Sequence, residues 1–457
     1  MHKILYLKTI LLFGAGKSAT VLIDYLLSEA EINSWQIIIA DADKNQVLAK
    51  TNNSPLAEAV QIDITKDEQR IALIQKADIV ISMMPPALHF LVAKDCVAYS
   101  KNLLTASYVD DQIRNLKSEI DNKGILFLCE MGLDPGIDHM SAMKMIEEIK
   151  AGGGKITSFK SHCGGLVAPE SDNNPWHYKI SWNPKNIIMA GSAGAVYKEN
   201  YEIIEEEYQI VFENCELVTF PGLGELAWYP NRDSISYLPI YKLEEAETFI
   251  RTTLRYPAFC RGWDYIVNLG LTDTEDHDNI MDCETYADWL ERKLYLVEDR
   301  EMDLIEYTDL YVHEDFIAEL TNQFIFLGLT ANTKLPKAAQ CSADILQFAA
   351  ETKLAMQPND KDMIVMLHEI EYEKQNAPQG SVEKHKVQSS LKVIGADSLR
   401  TAMAKTVGLP LGIAAKLILN GTIKLTGLHI PTAKEIYEPV LKELEQNNIK
   451  FTEITSP

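Results

Sequence analysis

The sequence predicts an α/β protein in three parts: a parallel-sheet domain, an α+β domain and a mainly helical third domain. Three observations carry this expectation. In the first third of the chain, short β-branched runs alternate with amphipathic stretches, the rhythm of a doubly wound parallel sheet. A turn rich in glycine follows the first of those runs directly. At 457 residues the chain is also too long for one ordinary core, so two or three domains are expected, each with its own interior.

Taken in order, residues 10–13 read as the first strand and 17–27 as the helix after it. Residues 36–40 read as a buried second strand, closed by Asp41. Residues 60–63, 78–82, 102–105 and 124–128 look like four more, which makes a Rossmann-like count over residues 1–132. After Gly132 the rhythm changes. Gly152-Gly153-Gly154 and many aromatic and proline residues mark strands and irregular connections, an α+β domain over 133–274. Residues 275–389 read as helical and acidic, with 287–295 and 343–356 at helical spacing. The polar stretch from Gln375 to Ser381 reads as a loop, and 399–419 and 432–446 as two last helices.

Composition excludes several classes of partner. Forty-three basic against 66 acidic residues give a formal charge of -23, which repels nucleic acid and anionic membrane surfaces over a Debye length. The seven cysteines form no C-x-x-C pair, so reduced thiols and a cytoplasmic location are expected. The apolar run from Ile4 to Leu7 is broken by Lys8 and leads into a glycine turn, not a cleavage site. No stretch approaches the roughly 20 apolar residues that span a bilayer.

Gly14-Ala15-Gly16-Lys17-Ser18-Ala19 has the form G-x-G-x-x-A, directly after a strand and opening a helix. Gly14 permits the tight turn, Gly16 lets a pyrophosphate approach the backbone, and Ala19 lets helix and strand pack closely. The helix start then offers unpaired N–H groups to the phosphates. An ordinary strand-to-helix turn is the plain alternative. Asp41 closes the second strand about two dozen residues later, where a carboxylate takes hydrogen bonds from ribose hydroxyls. It would repel a 2′-phosphate, and the only nearby cation is Lys44, so NAD is expected over NADP. A solvated loop aspartate is the plain reading of Asp41.

The polar run from Glu130 to Met140 follows the sixth strand, where ligands of open α/β sheets collect. Its Asp-Pro-Gly is equally a β-turn, and Asp138 equally a helix N-cap. Residues 162–170 and 174–182 gather polar groups beside glycine and proline, but neither matches a metal spacing. His313-Glu314 and His368-Glu369 do not continue into H-E-x-x-H, and no metal is expected. Arg232 and Arg255 lie beside turn-forming residues in this acidic chain. A guanidinium binds a carboxylate bidentately, while a structural ion pair is the commoner fate of an arginine.

These segments together resemble the saccharopine dehydrogenase family, in particular its glutamate-forming members. The likeness runs from Gly14 to about Gly270 and resumes near the C-terminus. It implies the reversible conversion of saccharopine, oxidised nicotinamide cofactor and water into L-glutamate, 2-aminoadipate 6-semialdehyde and reduced cofactor, a step of lysine metabolism. It also implies that the C-terminal part returns to complete the earlier domains, with about 390–435 joining the α+β domain and 436–457 the first. A homodimer is a possible assembly. By the same resemblance Gly14, Gly16, Lys17, Asp63, Ile64, Thr105 and Ala106 look like cofactor contacts, as does the loop of Leu133, Asp134, Pro135, Gly136, Ile137, Asp138, His139 and Met140. Ser107, Tyr108, Asp134, Arg232, Thr253, Leu254 and Arg255 look like substrate contacts.

Some positions depart from the family. Val167 stands for a usual proline, Trp176-His177 for a smaller pair and Asn183 for a serine, changes that would reshape a pocket edge. The oxidation removes hydride from the carbon beside the bridging amine, so the amine must be neutral. Asp134, Tyr108 and Cys163 are all candidates for the proton transfers. The alternatives are a sister dehydrogenase, of the lysine 6-dehydrogenase or carboxynorspermidine type, and a non-catalytic nicotinamide-binding sensor.

Overall fold

A computed structural model describes residues 8–376 and 381–456. The apolar run at 4–7 and the middle of the expected polar loop, 377–380, lie outside the described residues. The chain divides into two compact units. One holds the described residues up to Lys155 together with Leu391–Phe451; the other holds Ile156–Ser390 with the C-terminal strand Thr452–Ser456.

The first unit is built on strands β1 (Lys8–Phe13), β2 (Trp35–Asp41), β3 (Ala57–Gln61), β4 (Ile79–Ser82), β5 (Asn102–Thr105), β6 (Leu126–Leu128) and β7 (Gly427–His429). All pair in parallel, in the order β7-β6-β5-β4-β1-β2-β3. The β-branched runs explain the inner strands: Ile37 to Ile39 and Ile79 to Ile81 are buried on both faces, as parallel strands under helices must be. Strand β3 lies at residues 57–61 instead of the expected 60–63. It is the sheet edge, paired only with β2, so its Ala-Glu-Ala-Val-Gln sequence need not be apolar on both faces.

The helices of this unit include α1 (Thr20–Asn33), α2 (Lys44–Thr51), α3 (Pro86–Ala98), α4 (Ile137–Ala151), α5 (Ala402–Leu419) and α6 (Lys434–Gln446). The helix expected at 17–27 begins as a short 3-10 turn, Lys17–Ala19, and continues in α1. Helix α5 has the length and hydropathy of a bilayer span, but it packs on α1 as a core helix and most of it is buried. This places 391–435 in the first unit, a correction to the expected α+β assignment, while the last strand pairs in the second unit.

The second unit carries a mixed sheet whose main path runs Glu216–Phe220, Gly224–Pro230, Thr248–Arg255, Lys155–Val167, Asp362–Asn376, Ser381–Ile394 and Thr452–Ser456. The strands Asp362–Asn376 and Ser381–Ile394 correct the helical reading of 275–389, which holds only up to Lys353. Met363 to Leu367 are fully buried within one strand. A second core gathers Trp176, Phe259, Trp263 and Trp289 with helices Pro257–Asn268, Tyr286–Glu298, Ile317–Leu327 and Ser342–Lys353.

Candidate functional site

In the first unit the strand order reverses between β1 and β4, the switch point outside which ligands of such sheets bind. The glycine turn closes β1 there. Gly14 has φ +97°, and a Cβ on it would stand 2.8 Å from the Met83 carbonyl oxygen, so only glycine fits. A Cβ on Gly16 would meet nothing within 4 Å, which leaves the backbone of the turn open for a pyrophosphate. Ala15 and Ala19 are buried, and Lys17 is exposed. The residues present therefore fit a dinucleotide.

Asp41 is tied to this turn. Its carboxylate accepts from the Ala15 amide at 2.6 Å and the Asp43 amide at 2.9 Å. Lys50 on α2, unremarked in the sequence, donates to the Gly16 carbonyl at 2.5 Å. Burial lowers its pKa to about 8, against the raising pull of Asp41 and Asp24. Lys44, the cation expected there, opens α2 and is exposed. Asp63 is exposed and turns onto Thr65, while Ile64 packs into the core and its carbonyl accepts from buried Arg70.

The loop from Leu133 to Met140 mostly faces inward. Leu133, Ile137, Asp138, His139 and Met140 are buried, and among residues 133–140 only Asp134 is half-exposed. His139 lies 2.9 Å from Glu130 and 3.7 Å from Asp138. Asp138 is not the N-cap of α4: Gly136 holds that position, and the Asp138 carboxylate accepts from the Gly136 amide. A Cβ on Gly136 would stand 2.1 Å from the Gly132 carbonyl oxygen, which fixes a glycine at this crossing. Most of the expected cofactor contacts here thus shape the loop and do not present side chains to a ligand.

Thr105, Ala106, Ser107 and Tyr108 continue from the carboxyl end of β5. The amide of Met131 donates to the Thr105 carbonyl and that of Glu130 to the Ser107 carbonyl, which aligns the two loops. The Tyr108 hydroxyl stands 3.5 Å from Asp134, so these two candidates are brought together. Ser107 receives a partner that the sequence did not suggest, His89 on α3, at 2.7 Å.

In the second unit Cys163 is buried in strand Lys155–Val167, in register with Thr253. Leu254 is core, so only its backbone is available to a ligand. Arg232 is exposed with φ +55°. Arg255 is 5% exposed, donates to the Leu254 carbonyl at 2.9 Å, and has Tyr178 and Phe259 within 5.5 Å of its guanidinium. Among the described residues no carboxylate pairs with it, and its buried Nε has no hydrogen-bond partner. Burial opposes the charge, the phenols of Tyr229 and Tyr178 favour it, and the net shift is upward, so Arg255 stays a cation. Burial also holds Tyr229 neutral, pushed up to about 12.

The departing positions are structural. Trp176 is core and donates to the Gln323 carbonyl, His177 pairs with Asp172, and Asn183 caps the short helix Pro184–Ile188.

A parallel sheet in doubly wound order, with a strand-glycine-helix turn at its switch point, defines the class of dinucleotide-binding folds. Within that class the chain belongs to the saccharopine dehydrogenase family. The family models described as the saccharopine dehydrogenase NADP binding domain and C-terminal domain match residues 10–128 and 132–449. The chain is 32% identical to a Saccharomyces cerevisiae protein named saccharopine dehydrogenase (NADP+, L-glutamate-forming), over 96% of this chain and 97% of that one. It is 35% identical to the Bos taurus alpha-aminoadipic semialdehyde synthase, over 97% of this chain and 47% of that protein. The chain thus spans about half the length of the plant and mammalian relatives it matches. The solved apo saccharopine dehydrogenase (L-Glu forming) of S. cerevisiae has a TM-score of 0.87 at 29% identity, covering 98% of this chain and 100% of that one.

Proposed function

We propose that this chain is a nicotinamide-dependent oxidoreductase that converts saccharopine and water into L-glutamate and 2-aminoadipate 6-semialdehyde, reversibly, in lysine metabolism. The observation that carries the reading is Arg255: a buried guanidinium with an orphaned Nε and no carboxylate partner among the described residues. Leaving a buried ion unpaired costs several kcal/mol, a cost that an anionic ligand offsets. A substrate rich in carboxylates supplies that anion. The names of the relatives support the same substrate.

The dinucleotide would lie on the turn from Gly14 to Lys17, with Asp41 toward its ribose, and supplies a hydride acceptor when bound. The chain's own residues do the rest. Arg255 anchors a substrate carboxylate, and we assign Ser107, Tyr108, Asp134, Arg232 and Thr253 to further substrate contacts, each testable by itself. Oxidation leaves a C=N bond in place of the bridging amine; water adds to it and the C–N bond then breaks. Tyr108 and Asp134, adjacent and half-exposed, are the pair best placed to move the protons.

The relatives' names favour NADP, which displaces the NAD preference read from Asp41. NAD remains a second reading because Asp41 is fixed at the turn, where its charge opposes a 2′-phosphate.

Steady-state kinetics of Arg255→Ala test the proposal. The variant should lose about 2–5 kcal/mol in kcat/KM for saccharopine, tens to thousands of fold, with dinucleotide affinity unchanged. Arg255→Lys should recover only part, since an ammonium lacks the planar fork. Normal turnover by Arg255→Ala, with a lower melting temperature, would make the arginine structural.

A further inference from the structure

Three side chains form a buried hydrogen-bonded chain at the carboxyl ends of β4 and β5. His89 Nδ1 lies 2.8 Å from the Ser82 hydroxyl, and its Nε2 lies 2.7 Å from the Ser107 hydroxyl and 3.4 Å from that of Thr105. Ser82 is fully buried and His89 is 4% exposed, so Ser107 is the only accessible end of the Ser82–His89–Ser107 chain.

The direction of the chain follows from its closed end. Among the described residues, His89 Nδ1 is the one hydrogen-bond partner of the Ser82 hydroxyl. If Nδ1 carried the proton, the Ser82 hydrogen would be buried with no acceptor, its lost hydration uncompensated. Ser82 therefore donates to Nδ1, and the proton of the neutral ring sits on Nε2. Nε2–H then donates to Ser107 Oγ, which leaves the Ser107 O–H free to donate outward. Burial holds the His89 pKa down to about 4, so the ring stays neutral at neutral pH and is no general base there.

We propose that His89 is a positioning residue that fixes Ser107 as an outward hydrogen-bond donor, and that Ser107 donates to a carboxylate oxygen of the substrate. This rests on reading Ser107 as a contact to saccharopine.

The test compares Ser107→Ala, His89→Leu, His89→Gln, His89→Asn and the double variant Ser107→Ala/His89→Leu in full-length protein. The readouts are kcat and KM for saccharopine and the dissociation constant of the reduced dinucleotide. Loss of a hydrogen bond to a charged group should lower kcat/KM about tenfold to a hundredfold in Ser107→Ala and His89→Leu. The double variant should be no worse than Ser107→Ala, and dinucleotide binding should not change. Gln, whose amide nitrogen reaches the place of Nε2, should recover much of the loss, whereas Asn, which reaches only that of Nδ1, should not. An additive double variant, or a Gln variant as poor as Asn, overturns the positioning role. A Ser107→Ala variant with wild-type kinetics overturns the contact on which it rests. A wild type that binds dinucleotide but leaves saccharopine unchanged overturns the function itself, and each failure has its own signature.

Discussion

Asp41 spends both carboxylate oxygens on backbone amides of the glycine turn and the next loop, so its charge is held in place before any ligand arrives. Asp41→Ala should raise the ratio of kcat/KM for NADP to that for NAD by about tenfold or more, as the repulsion of a 2′-phosphate is lost. An unchanged ratio, measured with both dinucleotides, would remove Asp41 from cofactor choice. His89 makes a second prediction. Its pKa falls from 6.5 in the unfolded chain to about 4 in the fold, so between those values the unfolded state binds more protons. The stability due to the neutral ring is complete above about 6.5 and is lost as pH falls toward 4. Urea midpoints of His89→Gln should therefore fall less steeply than those of the wild type across that window; parallel curves would contradict the assignment. At this scale the sequence showed motifs but not orientation. The turn was legible because the glycine at position 14 answers a local backbone need. The inward facing of Asp138 and His139, the lone charge of Arg255 and the partnership of His89 with Ser107 depend on neighbours distant in the chain, which no spacing reveals.

Helices α1 and α5 meet closely because two positions on α5 lack side chains. A Cβ on Gly408 would come within 2.9 Å of Leu22 Cβ and 3.0 Å of its amide nitrogen, and one on Gly412 within 2.6 Å of the Tyr25 ring. Gly408→Val should cost about 1–3 kcal/mol, seen as a lower urea midpoint with an unchanged slope. A wild-type midpoint would mean that the helices can part without cost. Most elements of the first unit were legible, since Ile37 to Ile39 and Ile79 to Ile81 are runs that only a buried strand accommodates. Strand β7 was not, because Gly427–His429 is three residues long and gains its pairing from β6. In Asp362–Asn376 the buried Ile370 and Tyr372 alternate with exposed Glu371 and half-buried Glu369 and Glu373, a period of two that was available in the sequence. The acidic character of the surrounding helices obscured it.

At the scale of the molecule, the chain leaves its first unit near Lys155, returns at Leu391 and ends in a strand of the second. Length and rhythm announced several domains and the family resemblance implied a C-terminal return, but neither told which unit receives each returning segment, since that depends on pairings between residues hundreds of positions apart. The net charge of -23 also bears on the proposed substrate: carboxylates entering so acidic a chain need fixed cations where they dock, and among the described residues no carboxylate neutralises Arg255, the cation proposed for that role. The central claim is the reaction itself, and its stoichiometry tests it most directly. Purified protein should consume L-saccharopine in the presence of NADP or NAD and yield reduced dinucleotide, L-glutamate and 2-aminoadipate 6-semialdehyde in equal amounts, with lysine and carboxynorspermidine left unoxidised. Oxidation of lysine or carboxynorspermidine with saccharopine untouched, or tight dinucleotide binding with no turnover of any of the three, would contradict it.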